Sequence, residues 1–193
     1  MRDIAEAAGL ALGASYHYFP SKDALVQAYY EWMQGEHERL VHAASAPEAD
    51  LRAVISTLLF TKLDLLRRDR RLLGALFGDL GDASHPLSLF GRKTAAVRER
   101  SIRQFVAAFE DPLVPEEIRG LLGRTLWLAH LGVLLFFIHD SSPNQTRTRK
   151  LVDRLVDLVA SGVSLFAHPL AAPIRTQLLD LVAELDPTQG AKS

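Results

Sequence analysis

Two polar residues stand where the sequence is otherwise most apolar. Lys62 interrupts the helical series Leu51, Val54, Ile55, Leu58, Leu59, Leu65 and Leu66, and His130 lies inside the run Leu126 to Ile138. A cation or an imidazole in apolar surroundings can fix the orientation of a small molecule. It can equally be a core group whose partners lie within the fold. Other chemistries lack their residues. There is no cysteine, hence no disulfide and no thiol nucleophile. Seven histidines are scattered; His37 and His42, five apart, make a poor ligand pair on one helix, and no metal site is expected. No nucleophile elbow, phosphate loop or carboxylate pair argues for catalysis, and no cofactor is expected. Basic residues gather at Arg67, Arg68, Arg70 and Arg71, and again at Arg92, Lys93, Arg98, Arg100 and Arg103; both groups read most simply as solvated faces.

The elements that position side chains begin with Met1 to Leu25, MRDIAEAAGLALGASYHYFPSKDAL. Arg2 to Ala8 reads as a short amphipathic helix that Gly9 ends, because glycine alone takes a positive φ at no cost. Leu12 to Tyr18 reads as a second short helix, stopped by Phe19-Pro20. Ser21 caps a third, which runs from Lys22 to about Ala44. Two short helices about a glycine-containing turn form the helix-turn-helix pattern, whose second helix enters the DNA major groove.

This stretch closely resembles the DNA-binding motif of the TetR family of bacterial transcriptional regulators. The resemblance is carried by Asp3-Ile4-Ala5, Ala7-Ala8-Gly9, Gly13, Tyr16, Tyr18-Phe19, Ser21-Lys22 and Ala24-Leu25, in uninterrupted register. It implies that Tyr16, Tyr18 and Lys22 contact the DNA backbone, that Ser15 and His17 face base edges, and that Gly13 permits close approach, with Ala14 beside it. Many relatives carry a hydroxyl residue where Ala11 and Ala14 stand, so fewer backbone contacts and more reliance on Tyr18 and Lys22 are expected. The family also has a helix ahead of the Arg-Asp-Ile-Ala segment. That helix is expected to be missing here, leaving Ile4, Ala8, Phe19, Leu25 and Tyr29 uncovered and the first 20 residues marginally stable.

The rest of the chain shows helical spacing and no sustained period-two alternation. Helices are expected over Leu51–Arg67, Arg70–Leu80, Leu87–Phe109, residues 116–139, Thr146–Ala167 and about Ile174–Leu185, with a disordered tail from Pro187. The fold class is all-α and TetR-like, with a truncated helix-turn-helix head over residues 1–45 and a helical body over 46–193. The resemblance implies an apolar ligand pocket in the body, with Leu59, Lys62, Phe77, Phe90, Phe105, Trp127, His130 and Phe137 as candidates. Residues 116–139 are apolar on nearly all sides, and a helix apolar all round must be buried all round. The family likeness supplies the cover: these residues and 146–167 would form a four-helix bundle across a two-fold axis, through Leu121, Leu128, Leu135, Leu155, Val159 and Val163.

Composition bounds the function. The 193 residues are 48% hydrophobic and carry a formal net charge of −1. Residues 1–45 hold three basic and six acidic side chains, a net −3, unusual for a unit that binds phosphates. The most apolar run is 13 residues long, too short for the ~20 that a membrane span needs, and no signal peptide is visible. With no cysteine, a cytoplasmic location fits. The expected function is a ligand-responsive repressor that binds a pseudopalindromic operator as a homodimer, with an unidentified, mostly apolar small ligand, and is not an enzyme. The alternative is a ligand-binding or interaction module that has lost DNA binding through N-terminal truncation.

Overall fold

Local capping explains the N-terminal elements of the computed structural model, which describes residues 1–46, 48–80, 87–88 and 91–184, with the side chains of 77–80 and 182–184 excepted. Helix α1 (Arg2–Ala7) ends where Gly9 takes φ 66°. There the Gly9 N–H donates to the Glu6 carbonyl at 3.0 Å and the Leu10 N–H to the Ala5 carbonyl at 2.8 Å, which satisfies the last carbonyls of the helix. Helix α2 (Leu12–Tyr18) follows with Ala11 as its N-cap and no side-chain cap bond. Ser21 Oγ accepts from the Ala24 N–H at 3.0 Å and opens α3 (Lys22–Ala44). Asp50 does the same for α4 (Leu51–Leu66), accepting from the Ala53 N–H at 2.7 Å. Helices α5 (Arg70–Leu80), α6 (Ala95–Ala107), α7 (Glu116–His139), α8 (Thr146–Ala167) and α9 (Ala172–Glu184) complete the order. Every regular element among the described residues is helical, as expected.

The chain forms two compact units. One holds Met1–Ala44 and Thr61–Ser101, the other Ser45–Phe60 and Ile102–Ser193. The chain first passes from one unit to the other at Ser45, and residues 61–101 belong with the N-terminal unit. In that unit Val26, Tyr30 and Leu87 form a buried cluster, with Tyr29, Met33, Leu76 and Val97 packed on it. The second unit is centred on Phe105, Phe109, Val114, Trp127, Phe137, Val152 and Val156, all at 5% exposure or less.

Two expectations are corrected. The helix expected from Leu87 starts at Ala95 instead. The Thr94 hydroxyl lies within hydrogen-bond reach of the Ser88 carbonyl at 2.6 Å and the Gly91 carbonyl at 3.1 Å, local side-chain bonding that competes with helix just before Ala95. Helix α7 divides its apolar surface: Ile118, Leu126, Trp127, Val133, Leu134 and Phe137 are buried within the chain, while Leu128, Leu135 and Phe136 are exposed. At 24 residues, α7 is also long and apolar enough to cross a bilayer, which the 13-residue run within it did not suggest; its buried face is the middle of the second unit. Its Gly123 marks a close crossing, because a Cβ there would meet the Val106 Cα at 2.5 Å. The expected tail from Pro187 and the turn at Ser84–Pro86 lie outside the described residues.

Asp140 joins α7 to α8. Its carboxylate accepts from the Ser142 N–H at 2.8 Å, the Thr148 N–H at 2.9 Å and the Thr148 hydroxyl at 2.7 Å. Burial alone would raise the carboxyl pKa, but these donors outweigh it and hold the group well below the usual carboxylate range. Asp140→Asn is therefore expected to lower stability by about 1–3 kcal/mol in denaturant titration. Because the folded pKa is depressed, the stabilisation is complete above the unfolded value of about 3.9 and is lost as pH falls below it. The gap between wild type and Asp140→Asn should accordingly hold from neutrality to about pH 5 and narrow in stronger acid.

Candidate nucleic-acid interface and buried polar core

The turn closed by Gly9 fixes α2 against α1, and this sets which α2 side chains face water. Tyr16 is 49% and Tyr18 68% exposed, large values for aromatic rings. Gly13, His17 and Lys22 are also exposed, Ala14 is half-buried, and a Cβ at Gly13 would meet nothing within 4 Å. His17 and Tyr18 stand edge to face, ring centroids 5.5 Å apart. The structure thus brings two phenols, an imidazole and an ammonium to the surface within seven residues, with little carbon between them and solvent. Ser15 is a correction: it is buried, and its hydroxyl donates to the Leu12 carbonyl at 2.8 Å, so it is committed within α2 rather than turned to a base edge. Phe19 is half-buried, in keeping with a mainly structural role.

In the same unit Ile4, Leu25, Val26, Tyr29, Leu72, Ala75, Leu76 and Leu87, with Lys22 and Asp23 at one end, line a groove of about 420 Å³. Three of the residues expected to lie uncovered, Ile4, Leu25 and Tyr29, are among them. Tyr29 is anchored at its far end, donating to Asp69 Oδ2 at 2.8 Å. Burial first, and the Asp69 carboxylate second, raise its phenol above the ordinary range.

The candidate ligand residues divide between the units. Leu59, Phe105, Trp127, His130 and Phe137 are buried in the second, where the Phe105 and His130 rings lie 4.9 Å apart. Lys62 is in the first, 2% exposed. The Phe77 side chain and Phe90 lie outside the described residues. Lys62 Nζ donates to Met33 Sδ at 3.2 Å and to Gln34 Oε1 at 3.5 Å. Burial lowers its pKa to about 7, against a smaller opposing pull from Glu38. Gln34 Nε2 in turn donates to Glu38 Oε1 at 3.1 Å. Arg100 reaches across from α6, donating to Glu38 Oε2 at 2.6 Å and Glu31 Oε2 at 3.1 Å.

Sequence reasoning missed this polar core. Gln34, His37 and Glu38 fall at i, i+3 and i+4 of α3, a spacing that places them on one face, and Gln34 and His37 are almost fully buried. Arg100 was expected on a solvated face and is instead an ion-pair partner of two α3 carboxylates. Among the described residues no cluster of histidine and carboxylate side chains is arranged to hold a metal ion.

The interface candidates also divide. Leu128 is 54% and Leu135 49% exposed, and Leu121, Leu155 and Val159 are half-buried. Val163 is corrected: at 4% exposure it belongs to the core face of α8 with Thr148, Val152 and Val156. The exposed apolar positions of α8 are Leu151, Leu158 and Leu165, which recur every seven residues.

A helix-turn-helix with exposed phenol, imidazole and ammonium groups, followed by an all-α body, defines the class of helix-turn-helix transcriptional regulators. Residues 1–29 match the family described as "Bacterial regulatory proteins, tetR family", and residues 55–185 match "Tetracyclin repressor-like, C-terminal domain". The chain belongs to the TetR family of transcriptional regulators. It is also similar to the HTH-type transcriptional repressor KstR2 of Mycolicibacterium smegmatis, at 33% identity over 51 residues. That match takes in 24% of this chain and 25% of the repressor's length.

Proposed function

We propose that this regulator is a repressor that binds a pseudopalindromic operator as a homodimer and releases it when a small, mostly apolar molecule occupies its helical body. The observation that carries the reading is the exposure of Tyr16, His17, Tyr18 and Lys22 together on and beside α2. Phenol and ammonium groups so placed suit phosphate oxygens, and His17 and the open Gly13 suit a groove edge. Leu128, Leu135, Leu158 and Leu165 support the dimer, being apolar surface that a second copy would cover. A two-fold dimer offers two heads to half-sites one turn of DNA apart. Effector control would then be a population shift between head spacings that fit the operator and spacings that do not.

The test is a mobility shift with the promoter DNA beside its own gene, scored against scrambled DNA. Specific retention supports the reading. Lys22→Ala should weaken binding to specific and unrelated DNA alike and lower the salt slope by about one. An unchanged slope would remove Lys22 from the phosphate contacts.

A second reading, a ligand-binding or interaction module without DNA affinity, is favoured by the net −3 over residues 1–45 and by the open groove beside α1 and α3. Equal, weak retention of specific and scrambled DNA would select it.

A further inference from the structure

We propose that Lys62 is the anion-pairing group of the effector site, receiving the carboxylate of an otherwise apolar small molecule in the place now taken by the Met33 thioether. The inference deepens the effector-responsive reading and rests on it.

An ammonium offers three donors and needs oxygen acceptors. Among the described residues Lys62 finds a sulfur at 3.2 Å, a weak acceptor, and an amide oxygen at 3.5 Å, the far limit of a hydrogen bond. Among the described residues no ion pair compensates it. Glu38, whose carboxylate acts on Lys62 through its charge, spends one oxygen on Gln34 and the other on Arg100. Arg100 in turn is committed to Glu31 as well as Glu38. A cation buried to 2% exposure without an anion carries a large desolvation cost. A ligand oxyanion would remove that cost.

The surroundings fix the class of ligand. One uncommitted cation matches one negative charge, which favours a monocarboxylate over a phosphate dianion. Leu66 lies one helical turn beyond Lys62 on α4 and Tyr30 one turn before Gln34 on α3, and both are buried, so apolar side chains flank the ammonium on both helices. Methionine is the side chain best able to give way, because its thioether turns about three flexible bonds. Met33 is also on α3, the helix that begins at Lys22 beside the DNA-reading residues. A carboxylate that displaces Met33 and draws the ammonium from Gln34 would loosen the Lys62–Gln34–Glu38–Arg100 chain that ties α3 to α4 and α6. Effector binding would thus act on the helix that carries the head.

The experiment pairs octanoate, phenylbutanoate and adamantane carboxylate each with its matched primary alcohol, and reads the thermal midpoint and titrated affinity of the whole chain. At least one carboxylate is expected to raise the wild-type midpoint while its alcohol does not. In Lys62→Met, and in Lys62→Gln as a second variant, the affinity for that carboxylate should fall about tenfold or more, the worth of a charge-assisted bond. The proposal is overturned when no carboxylate binds, when acid and alcohol bind alike, or when both variants keep wild-type affinity. Operator retention separates the two levels. A carboxylate that binds through Lys62 yet leaves retention unchanged supports the pairing and contradicts the effector reading.

Discussion

Leu128→Glu combined with Leu135→Glu is expected to give a folded monomer that has lost specific DNA retention. Both leucines are about half exposed on α7, one heptad apart, and Leu158 and Leu165 repeat that spacing on α8 at 69% exposure each. Two carboxylates there would stand in water in a monomer, at little cost. In a symmetric interface they would meet their own copies, so each substitution acts twice and places like charges in apolar surroundings. The core face of α7, built from Leu126, Trp127, Val133, Leu134 and Phe137, is untouched, so helicity should persist. A dimer holds its second head near the second half-site at high effective concentration, and its loss lowers operator affinity by about 10²- to 10⁴-fold. Sedimentation gives the oligomeric state and a mobility shift the affinity. A double variant that stays dimeric would place the interface elsewhere.

The second large effect runs the other way. Lys62→Met should stabilise the ligand-free protein by about 1–4 kcal/mol, as replacing buried charge with apolar side chains of similar size does. In a chain of this length that raises the midpoint by about 2–4 °C per kcal/mol. The pH dependence identifies the cause. Burial lowers the folded pKa of Lys62 to about 7, while the unfolded chain keeps a value near 10.4. Between these values the unfolded chain holds a proton that the folded chain does not, so wild-type stability rises with pH. The advantage of Lys62→Met should be fullest below about pH 7 and should fade by about pH 10. Denaturant titrations of both proteins from pH 6 to 10 would show it. An advantage independent of pH would indicate better packing rather than relief of a buried charge.

Elements whose signals are local were legible in the sequence. Gly9, Ser21 and Asp50 mark helix boundaries because each acts within a few residues of itself, and all three do so in the structure. The start of α6 was not legible, because leucines from Leu87 onward suggested helix while Thr94 bound the carbonyls of a turn. The exposed rings of α2 followed from the motif, but the burial of Ser15 depended on a backbone bond three residues away. The polar core was hidden for a different reason: Lys62 meets partners 28 and 29 residues distant, and Arg100 partners 62 and 69 residues distant. Periodicity also cannot divide a surplus of apolar residues between core and interface. Val163 and Leu165 look alike in the sequence, and only packing shows that the first is core and the second is surface.

This TetR-family chain is expected to read a two-fold DNA site through α2. A titration of the promoter fragment beside its gene, followed by mobility shift and by the mass of the retained complex, tests it most directly. Saturable retention of one pseudopalindromic segment with chains bound in pairs is expected, and loss of that retention in Tyr18→Ala combined with Lys22→Ala. Equal affinity for promoter and scrambled DNA, unchanged by the double substitution, would contradict it.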